Sequence, residues 1–145
     1  MATPIKSLGE VALRVNDLAA MVEFYENVVG LELMRREGAF AFFRIADGVA
    51  GHTQVLALFD RSSNTSGDNS TNGSYEAPKA SHTSLDHIAF SIDKADFDKE
   101  DQRLQQLGLE ISYAYHQWVQ WRSLFVHDPE GNLVEWVCYD PRLNN

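Results

Sequence analysis

The chain lacks most of the devices that cross-link a protein or fix it to a charged surface. Its 145 residues include one cysteine, Cys138, so no internal disulfide is possible and a reducing compartment is the natural setting. Proline numbers only four, and Lys plus Arg come to 12 against 21 Asp plus Glu, a formal net charge of −9. So few basic residues argue against a nucleic-acid-binding face and against an anionic membrane surface. No run approaches the roughly 20 apolar residues of a spanning helix. The opening MATPIKSLGE lacks the charged, apolar, small-residue order of a secretory signal, so the expectation is a cytoplasmic protein. What is present, 44% hydrophobic and 11% aromatic residues, suffices for one compact domain at this length.

Residues 5–15 end in an alternation from Val11 to Val15 that predicts a strand. Asn16 and Asp17 supply a helix N-cap, and Leu18, Met21, Val22, Tyr25 and Val28 follow at helical spacing up to Gly30. Three apolar runs, 31–36, 40–45 and 54–60, complete a β-α-β-β-β order. Residues 62–74 contain only Ser, Asn, Thr, Gly and Asp, a composition that buries too little apolar surface to order itself. The region 61–84 is therefore expected to be a polar linker, and its sequons at Asn64, Asn69 and Asn72 to be accidents of composition.

The same order then starts again. His87 to Ile92 alternates; Asp93 can cap a helix carrying Phe97, Glu100, Leu104 and Leu107 up to Gly108; and runs 109–115, 121–126 and 133–139 follow as strands. Residues from Gly9 match those from Asp86 at an offset of 77, and Gly51 to Asp60 match Gly131 to Asp140 at an offset of 80. The expected fold class is α+β: two βαβββ modules in one chain, with mixed sheets facing each other around a cleft.

Alternation sorts the side chains. Val11, Leu13 and Val15 match the apolar stripe of the first helix, which turns Glu10, Ala12 and Arg14 to the other face; likewise Ile88, Phe90 and Ile92 lie under the second helix and His87 does not. Glu10 and His87 are repeat-equivalent. Glu135 stands in an apolar strand, where a carboxylate is costly unless paired or bound to metal, and its repeat partner is Val55. Glu10, His87 and Glu135 would together suit divalent Fe, Mn, Zn, Ni or Co with positions left open. The alternative is that the two carboxylates are partly exposed or pair with Arg14 or Arg122. His116 stands among Tyr113, Tyr115, Trp118, Trp121 and Arg122. That cluster predicts either a pocket for a flat or anionic substrate, with His116 and Arg122 catalytic, or a dimer interface. His82 is expected in the linker, His127 at a turn and His52 near a strand start, while Cys138 takes the core parity.

The run from Val11 through Leu18, then Phe24-Tyr25 and Gly30-Leu31, resembles the first module of the vicinal oxygen chelate superfamily of glyoxalases, bleomycin-resistance proteins and extradiol dioxygenases. Leu85 to Phe90 and the stretch from His127 to Glu135, with its Asp-Pro-Glu-Gly-Asn turn, resemble the second. The resemblance implies that His87 and Glu135 are metal ligands and that Glu10 replaces a first-strand histidine. It also implies a small-molecule substrate bound through two adjacent oxygens. A homodimer is expected separately, because so short a chain with eight strands leaves apolar sheet faces and edges in need of cover. A fourth, glyoxalase-type ligand is missing, since Val55 and Ala57 take the expected face and Gln54 does not. The expectation is therefore a metal-dependent enzyme, dioxygenase-like ahead of a glyoxalase-like isomerase or lyase. The rival is a metal-free binding protein of the bleomycin-resistance type.

Overall fold

The computed structural model describes residues 4–62 and 85–143. The three sequons, His82 and nearly all of the expected linker lie outside the described residues. The chain divides into two units, Met1–Thr83 and Ser84–Asn145. Each carries four strands in one mixed sheet, as the repeat predicts.

In the first unit β1 (Glu10–Val15) leads into helix α1 (Leu18–Glu23), which widens into a π-helical turn at Phe24–Val28. Asp17 caps α1 by accepting the Ala20 amide at 3.0 Å. Strands β2 (Glu32–Glu37), β3 (Phe40–Val49) and β4 (His52–Asp60) complete a sheet of order β1-β4-β3-β2, with β1 parallel to β4. Val15, Met21, Tyr25, Phe43, Leu56 and Leu58 are fully buried and form the core of this unit.

Strand β3 runs past the apolar stretch 40–45, through Asp47 and Gly48, to Val49. A Cβ on Gly48 would lie 1.4 Å from the His52 carbonyl oxygen, so only glycine allows the two backbones to close there. Ala50 and Gly51, both left-handed at φ 54° and 84°, then make the tight reversal.

In the second unit β5 (His87–Ser91) is followed by α2 (Lys94–Gln106), then β6 (Ser112–His116), β7 (Trp121–His127) and β8 (Leu133–Tyr139), in sheet order β5-β8-β7-β6. Phe97 and Leu104 anchor α2, whereas Leu107 is exposed rather than part of the apolar stripe. Asp93 occupies the N-cap position without a side-chain cap bond; its carbonyl accepts the Asp96 amide instead. Strand β6 starts three residues later than the apolar run suggested, after Leu109 and Ile111. No helix among the described residues is long and apolar enough to cross a membrane.

Candidate metal centre

The site in the second unit follows from strand parity. Arg122 of β7 lies over the Phe97 ring of α2, 4.2 Å from its centre, which marks the α2 side of the sheet. Cys138 pairs with Arg122, and Trp136 pairs with both Leu124 and Phe90, so these residues share that side and all but Arg122 are buried. Burial also pushes the Cys138 thiol pKa up. His87, Ala89 and Ser91 take the opposite, open face of β5, and Glu135 takes the same face of β8.

Glu135 is only 7% exposed, and an ionised carboxylate in that position demands a partner. Its Oε2 lies 3.2 Å from His87 Nε2. On the far side of the imidazole, Nδ1 lies 2.7 Å from Asp86 Oδ2. Asp86 and Glu135 thus bracket the imidazole, one carboxylate at each ring nitrogen, which fixes the ring's orientation and sets an imidazole and a carboxylate side by side on the open face. Phe125, the register partner of Glu135 on β7, meets the His87 ring edge-on at 6.4 Å and restricts its rotation.

The turn between β7 and β8 positions Glu135. Asp128 is buried; its Oδ1 accepts the Glu130 and Asn132 amides, each at 2.9 Å, and its Oδ2 accepts Asn132 Nδ2 at 2.8 Å. Gly131, at φ 83°, supplies the left-handed residue that closes the loop. The Asp-Pro-Glu-Gly-Asn motif is thus a register device.

The repeat match would set His87 opposite Glu135, as Glu10 stands opposite Val55 in the first unit. Instead His87 pairs with Leu133, two residues earlier, and Glu135 with Ala89. A shift of two preserves the face of every side chain, which is why His87 and Glu135 still meet.

In the first unit Glu10 is exposed at the start of β1. On its side of the sheet Val55, Ala57 and Phe59 are buried against Phe40 and Phe42, and Arg14 and Arg44 share that face. The regular parallel register of β1 on β4 sets Val55, not Gln54, beside Glu10. Among the described residues of either unit, no three His, Cys, Asp or Glu side chains gather as a ligand set. His52 is exposed and its ring packs beside Gly9; His127 is exposed at the end of β7.

The aromatic cluster around His116 divides between the two sheet faces. Tyr113 and Tyr115 take the α2 side, Tyr113 donating to Asp101 Oδ1 at 2.6 Å, which raises the phenol pKa. Arg122 is also on that side, bonded to Asp98 Oδ1 at 2.9 Å. His116 pairs with Trp121 on the open face, which Glu135 shares. His116 and Arg122 therefore do not act from one pocket. The buried parity of Leu124 and Val126 carried this information in the sequence. Asp86 was missed there, although an acid beside a candidate ligand histidine is the signal for it.

A sequence profile of the Glyoxalase/Bleomycin resistance protein/Dioxygenase superfamily matches residues 7–136. The chain is 27% identical over 135 residues to a glutathione transferase FosA of Serratia marcescens, covering 90% of this chain and 79% of that protein. It is 29% identical over 133 residues to a metallothiol transferase FosB of Lysinibacillus sphaericus, covering 90% and 81%. Among solved structures, a lactoylglutathione lyase from Agrobacterium tumefaciens superposes with TM-score 0.70 at 30% identity, covering 94% of this chain and 96% of that one.

Proposed function

The chain belongs to the glyoxalase/bleomycin resistance/dioxygenase superfamily, and we propose that it is a metal-dependent enzyme acting on a small substrate with two adjacent oxygens. The observation that carries this reading is the buried Glu135 carboxylate facing His87 Nε2 while Asp86 occupies Nδ1. Imidazole and carboxylate donors suit divalent Fe, Mn, Zn, Ni or Co. Glu10 is the proposed third ligand, on its repeat equivalence to His87 alone. A metal bound there supplies Lewis-acid stabilisation of charge developing on a substrate oxygen. Asp86 holds the His87 tautomer, Phe125 limits the ring, and His116 is the proton carrier we assign on the same sheet face.

The reaction class shifts from the sequence expectation. The relatives are named as thiol transferases and a glutathione-adduct lyase, which supports a thiol-linked substrate; the preference for ring cleavage finds no comparable support. A cytoplasmic homodimer remains part of the proposal, with light scattering as its check.

Metal analysis of protein purified without chelator tests the reading. The expected result is near-stoichiometric metal in the wild type, lost in His87→Ala and Glu135→Ala, with turnover of the methylglyoxal–glutathione adduct exceeding oxygen uptake on catechols. Sub-stoichiometric metal in wild type and variants alike would favour the metal-free binding protein.

A further inference from the structure

Strand β6 ends the second sheet, and among the described residues it pairs only with β7, so one row of its backbone N–H and C=O groups faces outward. Such an edge invites pairing with another chain unless charge or a bulge guards it. The repeat-equivalent edge β2 is guarded both ways: Glu32, Arg35, Arg36 and Glu37 stand along it, and its register slips between Leu33 and Arg35. Strand β6 has neither guard. Its register on β7 is unbroken from Ser112 to His116, and residues 111–121 hold no Asp, Glu, Lys or Arg.

Apolar surface gathers along the same edge. Tyr115 is 57% and Trp118 84% exposed, and Tyr113 and Leu107 stand about half open. The Tyr113 ring is already ordered, since its hydroxyl donates to Asp101 and accepts Gln105 Nε2 at 3.3 Å, so little further freedom is lost when it is covered. At 150–250 Å² for a buried aromatic side chain, the three aromatics and Leu107 leave about 400 Å² uncovered on each copy.

From this placement we infer that β6 is a self-association edge: a second copy of the chain pairs with it antiparallel, joining two four-stranded sheets into one. This edge gives the homodimer of the proposed function its surface, and rests on that part of the reading alone, not on the metal. Geometry selects a second copy. Full overlap of the five-residue strand with itself sets Ala114 on a twofold axis, Tyr113 of one copy opposite Tyr115 of the other, and Ser112 opposite His116. Both tyrosines lie on the α2 side, so an aromatic cross-strand pair forms twice. The same register carries the hairpin tip, with Trp118, toward the other copy's residues 107–111. Charge selects a second copy as well. Two chains of net charge −9 repel unless they meet where charge is absent, as it is over residues 111–121. The pair covers about 800 Å² of side chain, and the strand backbones bring it to about the 1,000 Å² of a specific interface.

Light scattering after gel filtration tests the edge. Wild-type protein is expected at twice the 16.4 kDa chain mass. Tyr115→Lys installs the charge that guards natural edges and should raise the dimer dissociation constant at least about tenfold, whereas Tyr115→Phe should leave it unchanged. Circular dichroism should stay the same in both, because Tyr115 is already more than half exposed. Ala114→Cys supplies a second reading that needs no loss of association. On the axis the two Cα atoms lie about 4.5–5.5 Å apart, inside the range a disulfide spans. Mild oxidation should then give a covalent dimer on a non-reducing gel, while the wild type, whose Cys138 is buried, gives none. A dimer as tight in Tyr115→Lys as in the wild type, or no cross-link from a dimeric Ala114→Cys protein, overturns the edge and leaves the homodimer to another surface. A wild type that stays monomeric at high concentration removes the homodimer and the edge together.

Discussion

The guanidinium of Arg122 lies 4.2 Å from the centre of the Phe97 ring and bonds Asp98 one residue further along α2. The contact joins the middle of the second sheet to its covering helix and commits Arg122 to packing. Asp98 is largely exposed, so the ion pair itself contributes little; desolvated cation–π contact and the covered side-chain stem contribute more. Arg122→Met should therefore lower stability by about 1–2 kcal/mol in urea unfolding and leave metal affinity unchanged.

A second prediction concerns Asp128. Its carboxylate accepts three hydrogen bonds within the turn before β8. Asp128→Ala leaves those donors unpaired in a mostly buried setting and should cost about 2–4 kcal/mol. Metal affinity should fall with it, because Glu135 loses its fixed register. Unfolding curves and metal titration on the same variant give both numbers.

In the proposed centre Asp86 would act on a metal only through His87. Asp86→Ala should weaken metal binding about 10- to 100-fold, the usual cost of losing such a support, with little change in thermal stability. Asp86→Asn, which still accepts the Nδ1 proton, should recover much of the loss. Competition titration against a coloured chelator reads both.

Asp140 supplies a pH dependence. Hydrogen bonds from Arg142 hold its carboxyl pKa well below the ordinary carboxylate range, and Lys94 Nζ adds an ion pair at 3.3 Å. A pKa depressed in the folded state stabilises the protein above the ordinary carboxylate value near 4, and that contribution is lost as the pH falls through the lower folded value. Asp140→Asn should thus be less stable than wild type at neutral pH, and the gap should narrow as acid is added below about pH 4. Thermal melts across pH 2–7 measure the convergence.

Ser123 presents the opposite case. Its hydroxyl is fully buried on the open face of β7 and has no hydrogen-bond partner among the described residues. Removing an unsatisfied group costs nothing and relieves its desolvation, so Ser123→Ala should be neutral or more stable by up to about 1 kcal/mol. A clear loss of stability in urea would contradict this.

Much of this arrangement was legible in the sequence, for a physical reason: strand parity is a period of two, and the buried residues at Leu13, Val15, Ile88 and Phe90 declare it. The same rule put Glu135 and Cys138 on opposite faces. Capping was half legible, because Asp17 and Asp93 look alike in sequence, yet only Asp17 turns its carboxylate to a helix amide. What the sequence hid was set by backbone proximity and register. Gly48 looked like a strand end and is a close approach between neighbouring strands. The Arg122 and His116 side chains looked like neighbours because they are close in the chain; a hairpin between them places them on different faces.

The register of β5 against β8 has a bearing on how such a chain can change over generations. Because the match with the first unit is displaced by two residues and not by one, the duplicated strands have slid without inverting. Each slide of this kind moves a side chain about 7 Å along its neighbour while keeping it on the same surface. A lineage can therefore bring a new pair of residues into reach, or part an old one, without rebuilding its core. In this chain the second half keeps a facing imidazole and carboxylate despite that displacement, while the first half sets a valine opposite its glutamate.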